Sequence, residues 1–156
     1  MKKLLFVFLF FTISTIASCQ SFNLNDSTFH VGEVYNPYFF IAYHYDSDSI
    51  LEKSFPTLDS IAEFLEKHPT IHIEIGVHVD ARGSDKYSKR LDTPRAKSVK
   101  SYLVSKGISE SRLVAKGYWN DYPIIPKQEI EKMKTMEEKE AAHQKNRRTE
   151  FKITKL

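Results

Sequence analysis

Apolar and polar residues alternate without a break through TIHIEIGVHVD, residues 70–80. Ile71, Ile73, Ile75, Val77 and Val79 fall on one side; His72, Glu74, Gly76, His78 and Asp80 fall on the other. Side chains that alternate with period two mark a strand with unlike faces, so the spacing predicts a strand over Ile71 to Val79. Its Ile/Val row is expected to pack on helices, and its polar row to lie on the far side of the sheet. Upstream, the aromatic and β-branched run Phe39 to Tyr45 predicts a strand before a turn at Asp46-Ser47-Asp48-Ser49. From Pro56 the period becomes helical, with Leu58, Ile61, Ala62 and Leu65 in one stripe, Ser54 as cap and Pro69 just beyond the end.

Asp92-Thr93-Pro94 reads as the start of a second helix: Asp92 can cap it, and Pro94 is tolerated in a first turn. Ala96, Val99, Tyr102 and Leu103 form its apolar stripe, and Gly107 is suited to end it. Arg112 to Tyr118 and Thr149 to Thr154 are the third and fourth predicted strands. Between them, strong helix formers of mixed charge predict a solvated helix over residues 127–143. This order gives an α+β fold, one mixed four-stranded sheet with helices packed on one face and an extra helix inserted before the last strand.

The N-terminus changes the picture of where the chain works. Two lysines precede an apolar run of 13 residues, Leu4 to Ile16, too short for a spanning helix of about 20 residues but suited to the core of a signal peptide. Ile16-Ala17-Ser18-Cys19 resembles the bacterial lipobox, which implies removal of residues 1–18 and lipid on Cys19. Cys19 is the only cysteine, so neither an internal disulfide nor a cysteine-based zinc site can form. The absence of aspartate after it, where Gln20 stands, favours the outer membrane. Residues 19–38, polar with isolated aromatics, read as the lipidated cysteine and a tether, leaving 39–156 as one domain. Without Lys2 and Lys3 the chain has 21 basic against 20 acidic side chains, interleaved, and so no electrostatic footprint for nucleic acid.

The polar row admits several chemistries. His72 and His78 lie roughly 20 Å apart along a strand that rises about 3.3 Å per residue, too far to share an ion. His78 and Asp80 are close enough, but two ligands fall short of a zinc site, and no metal or other cofactor is expected. Ser84 and Ser88 near His78 raise a hydrolase, yet no nucleophile elbow or Gly-rich phosphate loop accompanies them. Asp80 at the strand's end and Arg95 on the next helix are brought towards one mouth by the turn that Gly83 allows. Two readings stay open from these residues alone: a structural ion pair, or two separate charges that clamp a zwitterion, with a guanidinium fork on its carboxylate.

His78-Val79-Asp80-Ala81-Arg82-Gly83, Tyr87-Ser88, Leu91, Arg95-Ala96, Val99, Tyr102-Leu103, Gly107-Ile108, Lys116-Gly117-Tyr118 and the closing Asn146-Arg147-Arg148-Thr149-Glu150-Phe151 resemble, in order, the OmpA-like peptidoglycan-binding domain. With an acylated cysteine ahead of it, the chain is similar to the lipoprotein form of that family. The resemblance implies a βαβαββ sandwich that is not an enzyme. It also implies non-covalent binding of the diaminopimelate end of peptidoglycan stem peptides, with Asp80 for the ammonium and Arg95 for the carboxylate. Ser88 stands where the family's asparagine follows the tyrosine, and Asp46 is expected at the pocket rim. Val77 and Val79 replace a glycine and a threonine around the histidine, Asp92 replaces a serine, and Trp119 stands where the pattern commonly has glycine. One of Arg147 and Arg148 is expected to pack across the sheet end and the other to face water. The implied role is an outer-membrane lipoprotein with its domain in the periplasm, joining the membrane to peptidoglycan; the alternative is a subunit of an envelope complex that binds a protein partner through 127–143.

Overall fold

Strand β2 (His72–His78) lies inside the sheet because the alternation gives it one wholly apolar face: Ile73, Ile75 and Val77 are buried, as is Ile71 just before it. A computed structural model describes residues 21–37, 40–80, 82 and 85–156, apart from the side chains of 85–90. The sheet has four strands, β1 (Val34–Tyr35), β2, β3 (Leu113–Trp119) and β4 (Arg148–Lys155), in the order β1-β4-β2-β3. Strands β2 and β3 run parallel, joined through helix α2 (Asp85–Ser105), while β4 is antiparallel to both β2 and β1. The fold is therefore α+β with a mixed sheet, as the pattern of elements predicts.

Helix α1 (Phe55–Lys67) and α2 cover the Ile/Val face. Leu58, Ile61, Ala62 and Leu65 of α1 and Ala96, Val99 and Leu103 of α2 are buried there with Phe151 and Ile153 of β4. Phe55 and Tyr102 stack between the two helices with ring centroids 5.0 Å apart. Arg112 donates to the carbonyls of Leu65, His68 and Ile71 at 2.8–3.0 Å, tying the end of α1 to the start of β2. Gly107, with φ +94°, ends α2 as expected.

Four elements differ from the sequence reading, each for a physical reason. The run expected as the first strand does not enter the sheet; Phe39 lies outside the described residues, and Ala42 and His44 instead bond to Leu51 and Ser49 in a local hairpin. The sheet edge next to β4 is filled by Val34 and Tyr35, from the segment read as a tether. That segment is folded onto the domain: Phe22 is 4% exposed and meets Phe29, Tyr35 and Phe64 with centroids 5.6–5.9 Å apart. Its isolated aromatics lack a period because they cover the open end of the core from a loop, and a loop has no period.

Helix α2 begins at Asp85, so Asp92 and Pro94 lie within it rather than at its start. The Asp92 carboxylate is buried and accepts the Trp119 backbone N–H at 2.9 Å, so it caps a strand end instead of a helix. Ser54 likewise makes no side-chain cap; its hydroxyl bonds to the N–H and carbonyl of Ala42. The predicted helix 127–143 is two helices, α3 (Lys127–Lys132) and α4 (Met136–Asn146), because Thr135 and Glu138 form a capping box inside the run of helix formers.

If residues 21–37 belong to the folded domain, Phe22→Ala should cost about 3–5 kcal/mol, the usual range for truncating a buried phenylalanine. Urea unfolding followed by tryptophan fluorescence checks this; a change under about 0.5 kcal/mol, typical of an exposed position, would restore the tether reading.

Candidate functional site

Around the end of β2 lies a cavity of about 490 Å³, lined by residues of both rows, Val77 and Val79 as well as His78 and Asp80. Its walls come from five places: the hairpin 41–46, Lys53 before α1, the strand end Val77 to Asp80, Leu91 and Arg95 of α2, and Gln144, Arg147 and Arg148 at the α4–β4 junction. Asp46, Asp80 and Arg95, singled out from the sequence, all line it. Ser88 lies in α2, and its side chain is outside the described residues. Cys19 is outside them too.

Asp80 is 9% exposed and accepts from two arginines. Its Oδ2 takes Nη2 and Nε of Arg82 at 2.8 and 3.1 Å and the Arg147 guanidinium, and its Oδ1 takes the Arg82 backbone N–H at 3.1 Å. Burial opposes ionisation of Asp80, but these bonds outweigh it and hold the carboxyl below the ordinary carboxylate range. Arg95 lines the same cavity. Its Nε donates to the Ser47 carbonyl at 2.9 Å, and its guanidinium sits 4.8 Å from the centre of the Tyr43 ring. The Tyr43 hydroxyl meets the Thr149 hydroxyl of β4 at 3.1 Å, and burial pushes its pKa up to about 12. Among the described residues no ion pair joins Asp80 to Arg95, so of the two readings left open the structural salt bridge is not the one found.

The polar row behind the cavity is covered rather than wet. His78 is 5% exposed, stacks on Tyr118 with centroids 5.0 Å apart, and meets Glu150 at 3.1 Å through Nε2. Gly76 makes room for that stack, since a Cβ there would meet the Tyr118 ring at 2.9 Å. Tyr118 is the extra residue of a bulge in β3, where Val77 pairs with Gly117 but His78 with Trp119. Trp119 has φ +47°, which accounts for a glycine at this position in the family's pattern. Arg148 is buried; it donates to Glu150 at 2.6 Å and to the Tyr122 and Asn146 carbonyls, while the Asn146 amide holds both backbone groups of Ile125. Residues 122–125 are thereby pinned over the polar face.

One half of the Arg147/Arg148 expectation needs adjusting. Arg148 does pack across the sheet end, but Arg147 turns into the cavity, where it binds Asp80 and, at 2.8 Å, Glu140 of α4. The inserted helix therefore supplies part of the site through Glu140 and Gln144. No sequence period announces these contacts; the closeness of Asp80 and Arg82 along the chain was the one local hint. Among the described residues no group of three or more His, Cys, Asp or Glu side chains is placed to hold a metal ion.

Glu150 is the charge that makes this covered wall tolerable. Burial opposes its ionisation, but bonds from His78 and Arg148 bring its pKa down from 4.5 to about 2. Its folded pKa lies below its unfolded one, so its contribution is complete above pH 4.5 and is lost as pH falls through about 2. Glu150→Gln should cost about 2–4 kcal/mol at pH 7, since Arg148 is left without its counter-charge. It should also flatten the fall in stability across that acid window, as read by urea unfolding at a series of pH values; an unchanged acid slope would refute the assignment.

Comparison with known proteins bears on the family and the fold. Residues 42–137, more than half of the chain, match the OmpA family. A peptidoglycan-associated lipoprotein of Legionella pneumophila is 31% identical over 107 residues, covering 69% of this chain and 55% of its own. One from Haemophilus influenzae is 26% identical over 147 residues, 88% of this chain and 89% of that protein. The chain spans about half or less of the length of several other curated relatives. Among solved structures, the peptidoglycan-associated lipoprotein from Burkholderia pseudomallei superposes with a TM-score of 0.58 at 24% identity, over 72% of this chain and 87% of that one, and so shares the fold. By sequence and by fold, the chain belongs to the OmpA family.

Proposed function

We propose that this protein is a non-enzymatic anchor whose cavity grips the free end of a peptidoglycan stem peptide. The observation that carries the reading is that Asp80 and Arg95 line one cavity and that, among the described residues, no hydrogen bond or ion pair joins the two. A side chain such as that of meso-diaminopimelate ends in both an ammonium and a carboxylate. Asp80 is the acceptor for the first, and the Arg95 fork suits the second. The relatives named as peptidoglycan-associated lipoproteins support the same ligand and an envelope location. On this reading, residues 1–18 direct export and Cys19 carries the lipid, holding the domain at the periplasmic face of the outer membrane. Because Phe22 to Tyr35 are packed on the domain, the domain sits closer to the membrane than a free tether would allow. The rival reading, a separate docking helix at 127–143, is less favoured because α4 contributes Glu140 and Gln144 to the cavity region.

Two charge-assisted contacts in an open pocket give affinities on the order of tens of µM to mM per site, and a polymeric wall facing many membrane-held copies adds avidity. Arg95→Ala and Asp80→Asn, tested as full-length protein in detergent, should each lower retention on purified sacculi at least about tenfold, the loss of one such contact. Circular dichroism should show an unchanged fold. Wild-type retention by both variants would overturn the proposal. Stem peptides with lysine in place of diaminopimelate lack the terminal carboxylate and should bind wild type as weakly as diaminopimelate peptides bind Arg95→Ala.

A further inference from the structure

Asp80 is the proposed acceptor for the ligand's ammonium, yet its Oδ2 is already surrounded by guanidinium donors from Arg82 and Arg147. Both arginines have a second carboxylate within reach. Arg82 donates to Glu140 through Nη1, and Arg147 donates to it through Nη2 at 2.8 Å. The side chains differ sharply in exposure: Asp80 is 10% exposed, whereas Arg82 is 45% and Glu140 53%. The charges of Asp80, Arg82, Arg147 and Glu140 cancel, so an ammonium added to this cluster meets no net attraction unless a guanidinium gives way.

From this we infer that Arg82 is a built-in competitor for the ligand's ammonium, and that Glu140 receives its guanidinium when the ammonium takes Asp80. The inference rests on the proposed binding of a zwitterionic ligand and adds the element that sets its affinity. Glu140 suits the part because it is exposed: it accepts a guanidinium without further loss of water, whereas Asp80 at the cavity wall needs a cation at all times. Arg82 is the more exposed of the two competitors, 45% against 31% for Arg147, which the Gln144 side chain also holds. Exchange thus keeps every charge paired before and after binding. It also makes the site selective for ligands whose cation displaces Arg82, in preference to those that offer a carboxylate alone.

The test is calorimetric titration of full-length protein in detergent with a stem tripeptide ending in meso-diaminopimelate, and with the same peptide N-acetylated on its side-chain amine. Arg82→Gln should bind the free amine roughly three- to tenfold more tightly than wild type, the effect of removing one charge-assisted competitor. Glu140→Gln should bind it about threefold or more weakly. Neither gain nor loss of that pattern should appear with the acetylated peptide, which has no cation for Asp80. Equal or weaker binding by Arg82→Gln would overturn the competition while leaving the site itself standing. Failure of wild type and both variants to bind the free amine would instead overturn the site reading and this inference with it. Glu140 is on an exposed helix face, so its variant keeps the experiment decisive should Arg82→Gln lose stability.

Discussion

The position of β2, paired on one edge with β3 and on the other with β4, is the constraint from which both core and site follow. A strand held on both edges cannot rotate, so its two rows of side chains are committed to opposite faces. The Ile/Val row is sealed by α1 and α2, and the His/Glu row must then be satisfied by whatever crosses the other face. Near the strand's start that face is still partly open; at its end it is closed by Tyr118, Glu150 and Arg148, and Asp80 emerges where the cover stops. The cavity is thus built at the end of β2, where residues of both rows reach its lining.

Charge pairing organises that covering layer. His78 and Arg148 lie against Glu150, and Asp80 against Arg82 and Arg147, so Glu150, Arg148 and Asp80 each meet an opposite charge. The inserted α3–α4 segment, whose length and polarity suggest a solvated appendage, is instead tied down at Asn146 and Glu140. Its insertion between β3 and β4 places the end of α4 directly before β4, which puts Arg147 at the helix cap and Arg148 at the strand's first residue, both lining the cavity. Alternation then divides them, one facing Asp80 and one facing Glu150.

Tyr43 illustrates how a side chain outside the charged set still shapes the site. Its ring supports the Arg95 guanidinium while its hydroxyl reaches Thr149 on β4, linking the hairpin, the helix and the sheet. The Arg95 guanidinium rests on the aromatic face of Tyr43 while its Nε donates to the Ser47 carbonyl, so two hairpin residues fix where it enters the cavity lining.

The sequence by itself determined the parts governed by local periodicity and local backbone geometry. Period two from Ile71 to Val79, the helical stripe from Leu58 to Leu65 and the stop at Gly107 each follow from steric rules that act within a few residues. Asp80 and Arg95 were legible as site candidates because the motifs around them resemble those of the family. What only the tertiary structure decided lies where the partner is far along the chain: Phe22 and Tyr35 closing the core, Val34 taking the sheet edge, Asp92 serving Trp119, and Glu140 and Arg147 reaching Asp80. Such contacts leave no period, because burial and charge neutralisation depend on which surfaces meet in space, and a side chain's spacing from its sequence neighbours says nothing about that.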